Sequence, residues 1–125
     1  MIDVVAALIH NGNKFLICKR PPEKARGLLW EFPGGKVENG ETPKNALIRE
    51  CLEELDITIK VTDVFCETVH SYPDTDIHLT LFNADIIEGE PKLIEHINMK
   101  WITKNDISKY NFCPADHTIL TLLQK

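Results

Sequence analysis

The chain has 125 residues, 43% of them hydrophobic, enough for one hydrophobic core and too few for two ordinary domains, so one domain over residues 1–125 is expected. Its net charge of −5, from 19 acidic against 14 basic residues, excludes a broad cationic surface for a nucleic-acid polymer, so any anionic ligand should be small or metal-bound. Cys18, Cys51, Cys66 and Cys113 show no C-x-x-C spacing and lie in apolar contexts, as buried free thiols in a reducing compartment do. The opening MIDVVAALIH is acidic where a secretory signal is basic, and its apolar run is far shorter than a bilayer span. A cytoplasmic protein with no membrane contact is expected.

In chain order, residues 3–20 read as two strands turning at Asn11-Gly12, a pair that tolerates the positive φ of a tight hairpin. Both faces of residues 4–9 are apolar, which predicts a central strand covered on both sides. Residues 20–31, RPPEKARGLLWE, read as a loop because Pro21-Pro22 cannot continue a ladder; Arg20, Lys24 and Arg26 make it the densest positive cluster of the chain. A helix follows, with Thr42 as N-cap and Pro43 at its first position, running to about Leu55. Two β-rich runs, 57–69 and 77–87, precede a turn at Gly89-Glu90-Pro91 and a short strand at 99–102. A short helix near Asp106 and a C-terminal helix from about Pro114 complete the chain. Strands with interspersed helices predict an α/β fold with a mixed β-sheet between helices.

The helix is unusual in its charge. On a helical projection, Leu47, Ile48, Cys51, Leu52 and Leu55 are read as the core face, and Glu50, Glu53 and Glu54 as an opposing acidic face. Neighbouring carboxylates repel by only about 0.2–0.5 kcal/mol per pair in water, so a solvated acidic ridge is physically acceptable. A hard divalent cation would instead turn the cluster into a binding site.

The surrounding pattern decides between these readings. From Gly35 the chain runs G-x5-E-x7-R-E-x-x-E-E, placing Gly35, Glu41, Arg49, Glu50, Glu53 and Glu54 at fixed intervals. This closely resembles the Nudix box, and LLWEFPGGKVENGETP is similar to MutT-like members of the Nudix hydrolases over nearly the whole chain. There are two departures: Asp56 stands where the box usually has Gly, and Cys51 replaces a bulkier aliphatic residue. By contrast, GGK is no P-loop, because Trp30 and Val37 occupy positions that motif reserves for Gly and Ser or Thr. The five histidines show no zinc-ligand spacing and are read as surface or satisfied polar residues.

The resemblance implies a Nudix-type α/β/α sandwich and a pyrophosphohydrolase acting, as monomer or homodimer, on a nucleoside triphosphate with Mg²⁺ as cofactor and Mn²⁺ as a substitute. Carried over by position, Glu53, Glu54 and the carbonyl of Gly34 would ligate the metal, and Glu50 would ligate it or serve as general base. Arg49 and Glu41 would orient them. Glu95 matches a segment where the family places another metal-binding glutamate, although an ordinary loop carboxylate fits there too. Arg20 matches a phosphate-contacting arginine, and Phe32 and Tyr72, the latter in an SYPD segment similar to one that contributes an aromatic in the family, would flank the base, although core positions fit them too.

Asp116 replaces an asparagine found in MutT proteins specific for oxidised guanine. A carboxylate accepts well from the exocyclic amine of cytosine, which favours CTP, dCTP or a modified dCTP. If burial instead raised the Asp116 pKa, the acid would donate as well as accept, and oxidised purine nucleotides would be recognised. The reading from another functional class, a non-catalytic nucleotide-sensing module, predicts an eroded box, whereas every acidic position here is filled.

Overall fold

The computed structural model describes residues 1–125. Strands β1 (Ile2–Asn11), β2 (Lys14–Lys19), β3 (Trp30–Glu31) and β4 (Gly34–Lys36) precede helix α1 (Pro43–Leu55). Then come β5 (Thr58–Ser71), β6 (Asp76–Glu88) and β7 (Asn98–Ile102), 3₁₀ turns at Lys104–Lys109 and Pro114–Asp116, and helix α2 (His117–Leu123). The mixed sheet has the order β3-β2-β1-β6-β5, with β4 added to β1 and β7 to β2. β1 runs parallel to β6 from Ile2↔Ile77 to Ile9↔Ala84, while its other pairings are antiparallel.

β1 is central and covered on both faces, as its sequence predicts. Val5, Ala7 and Ile9 join the core beneath α1, with Leu47, Cys51 and Leu55, whereas Ala6 and Leu8 join the core beneath α2, with Phe32, Ile119 and Leu120. The period of two along a strand assigns alternate residues to the two layers. All four cysteines are free thiols, three of them buried and Cys66 half-buried.

Several boundaries differ from expectation. The pairing Asn11↔Lys14 makes Gly12-Asn13 the turn, one residue later than expected, with Gly12 at φ 61°. Trp30-Glu31 is a strand rather than loop, and Gly34–Lys36, to which the sequence assigned no element, is another, because β2 and β1 offer open edges to which even two or three residues can pair. The 57–69 and 77–87 runs extend into one long antiparallel hairpin closed by residues 72–75.

The faces of α1 also need correction. Leu52 is 51% exposed, whereas Glu54 is only 6% exposed. Glu54 follows Leu47 by seven residues, about two helical turns, so it returns to the core-facing side, and Leu52 rotates away from it. The expected caps are present: Thr42 accepts a hydrogen bond from the Asn45 N–H, and Asp56 takes the left-handed conformation at φ 56° that ends the helix. No helix is long and apolar enough to cross a membrane.

Candidate active site

The buried position of Glu54 is made possible by β4. Gly34 lies so close to β1 that a Cβ there would overlap the Val5 carbonyl, and a Cβ on Gly35 would overlap the Glu50 carboxyl. A side chain is thus excluded at Gly34 by the β1 backbone and at Gly35 by the Glu50 carboxyl that α1 projects against it. The Gly34 N–H donates to Glu54 Oε1 at 3.2 Å. Burial, then the charges of Glu31, Glu50 and Glu95, push the Glu54 carboxyl up to about 9. Glu50 is raised too, mainly by burial, against the opposing pull of Arg49.

Arg49 organises the outer half of the cluster. Its Nε and Nη2 donate to the two oxygens of Glu41 at 2.7 and 2.9 Å. Nη1 donates to Glu50 at 2.9 Å and to Glu53 at 3.3 Å, and Nη2 also donates to the Lys36 carbonyl at 3.2 Å. Hydrogen bonds from Arg49, then from the Glu38 N–H, lower Glu41 to about 2. With Glu50 and Glu53 held to Arg49, no three acidic side chains share one ligand-sized site. The donor set nevertheless fits a hard divalent ion: it consists of carboxylate oxygens, and the innermost carboxyl bears an electrostatic penalty that a cation would reverse.

Gly34, Gly35, Glu50 and Glu54 line a cleft of about 630 Å³ that also includes Arg20, Glu31, Phe32, Tyr72, Glu95, His96 and Asp116. Glu53, at 56% side-chain exposure, is not among the residues that line it. Arg20 is not free: its Nη1 donates to Glu31 Oε1 at 2.9 Å and its Nε to the Ala25 carbonyl at 2.9 Å. Glu95 pairs loosely with Lys24 at 3.7 Å.

Phe32 is almost fully buried, with its ring between those of Phe15 and Phe112, so it floors the cleft. Tyr72 accepts from the Ala115 N–H at 2.9 Å, and the Arg26 guanidinium lies over its ring at 3.9 Å. Asp116 is 5% exposed, and burial, with Glu31 adding to it, raises its carboxyl well above the ordinary range.

Three cleft residues escape the sequence reading. Glu31 bridges Arg20 and His96, whose Nε2 lies 3.0 Å from Glu31 Oε2. His96 is buried rather than at the surface, and it is only half satisfied, since its Nδ1 has no partner. Arg26 closes the third contact by an ion pair to Asp74 at 3.1 Å. The one available signal was the alternation Trp30-Glu31-Phe32, in which a carboxylate between two aromatics turns away from their core.

Known proteins share both the sequence and the shape. The chain is 35% identical over 120 residues to the CTP pyrophosphohydrolase of Escherichia coli (strain K12), covering 96% of this chain and 89% of that protein. It is 30% identical over 125 residues to the 8-oxo-dGTP diphosphatase of the same strain, covering 99% and 97%. The crystal structure of a MutT protein from Methanosarcina mazei Go1 superposes with a TM-score of 0.88 at 25% identity, over 98% of this chain and 91% of that one. Residues 4–122 match the family model described as the NUDIX domain, and with its box assembled around α1 the chain belongs to the Nudix family of hydrolases.

Proposed function

We propose that the protein is a Mg²⁺-dependent nucleoside triphosphate pyrophosphohydrolase that favours a cytosine nucleotide, CTP, dCTP or a modified dCTP. Nudix hydrolases act on nucleotides and generally use divalent metal ions. The observation that carries the proposal is the single cleft that joins Glu50 and Glu54 of α1 and Glu95 to Arg20 and the buried Asp116. It provides one end for a charged triphosphate and another for a base.

Glu50, Glu53, Glu54 and the Gly34 carbonyl, with Glu95 from the facing loop, would hold Mg²⁺ or, as a substitute, Mn²⁺. When bound, the ion neutralises phosphate charge and acidifies water. Arg20 binds a phosphate oxygen, with Glu31 fixing its guanidinium. A water oxygen attacks the phosphorus and its proton passes to a carboxylate, Glu50 or Glu53. The phosphoanhydride bond breaks, pyrophosphate leaves with the bonding pair, and the nucleoside monophosphate remains. Arg49 positions Glu50 and Glu53 through its fork on Glu41. Phe32 supports the base from below, and Tyr72 borders it once Arg26 yields the ring face.

For the base, Asp116 as an acid accepts from the cytosine N4 amine and donates to N3; as a carboxylate it keeps the first bond. A second reading, oxidised purine nucleotides such as 8-oxo-dGTP, is favoured by the raised Asp116 pKa, because guanine O6 needs a donor. Support also comes from the relatives named above, one for each substrate class. The test is Mg²⁺-dependent pyrophosphate release from CTP, dCTP, 5-substituted dCTP and 8-oxo-dGTP. The highest kcat/KM is expected for a cytosine nucleotide, preference for 8-oxo-dGTP would select the second reading, and no release from any of them would overturn both.

A further inference from the structure

The loop between β6 and β7 carries Glu95 to the cleft but is poorly packed. Of residues 89–97 only His96 is buried, while Leu93, Ile94 and Ile97 are about half exposed. Apolar burial therefore does not hold this segment against the cleft. Its polar ties outside the cleft are at Lys92, whose N–H donates to the Leu55 carbonyl at 2.9 Å and whose Nζ pairs with Asp56 at 2.9 Å, and at Ile97, whose N–H donates to the Lys19 carbonyl at 3.1 Å. The Glu95–Lys24 pair is long and exposed, and contacts of that kind contribute little.

We propose that Glu31 and His96 are positioning residues that tie the two loops of the cleft to one carboxylate, setting Glu95 and Arg20 across from each other. The catalytic consequence rests on the role given to Glu95 above. Glu31 divides its oxygens, accepting from Arg20 at one and from His96 Nε2 at the other. A carboxylate only accepts, so Nε2 carries a ring proton, while the ring's other nitrogen, Nδ1, has no partner in the protein. That buried, unpartnered nitrogen is destabilising, and a leucine would fill similar space without it.

The histidine is thus poor as core and well suited as a fixed donor. Its anchor is rigid, because β3 is held from the far side by Trp30 N–H to the Asn111 carbonyl and Cys113 N–H to the Trp30 carbonyl. Arg20 and Glu95 sit on separate loops, and the Arg20–Glu31–His96 chain joins those loops through side chains inside the cleft.

The experiment compares His96→Leu with His96→Gln, whose amide nitrogen can reach the place of Nε2, each alone and combined with Glu95→Gln. Amide hydrogen exchange is followed without nucleotide or metal, and kcat and KM are measured across Mg²⁺ concentration. In His96→Leu, exchange of the Ile97 N–H, which donates to the Lys19 carbonyl, should rise about 10-fold or more while β1 stays unchanged. Its kcat should fall about 10–100-fold, as expected for an outer-shell partner, with a higher Mg²⁺ requirement. His96→Gln should recover most of both. His96→Leu combined with Glu95→Gln should lose no more than Glu95→Gln alone.

Unchanged loop exchange, or losses that simply add to those of Glu95→Gln, would overturn the proposal. A fully active Glu95→Gln would remove the metal role of Glu95 instead, and the exchange result alone would then decide the tie. Should His96→Leu fail to fold, Glu31→Gln, which weakens both contacts, must show the same loop exchange and the same loss.

Discussion

Arg49 grips Glu41 with two parallel hydrogen bonds, 2.7 Å from Nε and 2.9 Å from Nη2, and extends its remaining nitrogen to Glu50 and Glu53. A guanidinium spans this geometry because its donors form a fixed planar fork, and an ammonium cannot. Arg49→Lys and Glu41→Gln should therefore fold normally and lose about 10–100-fold in kcat. Circular dichroism beside steady-state pyrophosphate release checks both halves of that expectation.

Glu54 should show opposite effects on stability and activity. Its folded pKa, pushed up to about 9, lies above its unfolded value, so the native state holds the proton more tightly and metal-free stability falls as pH rises from about 4.5 toward about 9. Glu54→Gln keeps an acceptor for the Gly34 N–H and removes that penalty. At pH 8 with chelator it should be more stable than wild type by about 1 kcal/mol or more. Its activity should drop more than about 100-fold, and Mg²⁺ should raise the Tm of wild type but not of the variant. Thermal melts with and without Mg²⁺ test this.

Asp116 obeys the same linkage away from the metal end. Being raised by burial, it makes the protein less stable as pH climbs above the ordinary carboxylate range, and Asp116→Asn should flatten that slope. At neutral pH the variant should be more stable than wild type. In wild type, 8-oxo-dGTP turnover should decline once Asp116 ionises and can no longer donate, whereas CTP turnover keeps the N4 contact. A kcat/KM profile from pH 6 to 10 with both nucleotides, for both proteins, separates the effects. Indifference to the base in both proteins would remove Asp116 from recognition.

Asp56 closes α1 at φ 56° and pairs with the exposed Lys92 at 2.9 Å. Glycine adopts this conformation without a Cβ penalty, and the surface ion pair contributes little. Asp56→Gly should raise stability in urea by about 1 kcal/mol and leave kcat unchanged.

Local chemistry made much of this protein readable in advance. The Thr42-Pro43 start of α1, the doubly apolar β1, and the spacing from Gly35 to Glu54 are properties of consecutive residues, and each leaves its mark in a short window. What lay beyond reach depended on partners far along the chain. β3 and β4 are too short to carry a period, and they exist because β2 and β1 leave edges open to them. Reading the helix with charge in mind put Glu54 in solvent; its return to the core-facing side, beside the Gly34 N–H of β4, is what buries the carboxyl. The Glu31–His96 contact spans 65 positions, and no local pattern encodes it. Sequence supplied the reactive groups and their order, while tertiary packing set their solvation, and solvation is what distinguishes Glu53 at the surface from Glu54 one residue later.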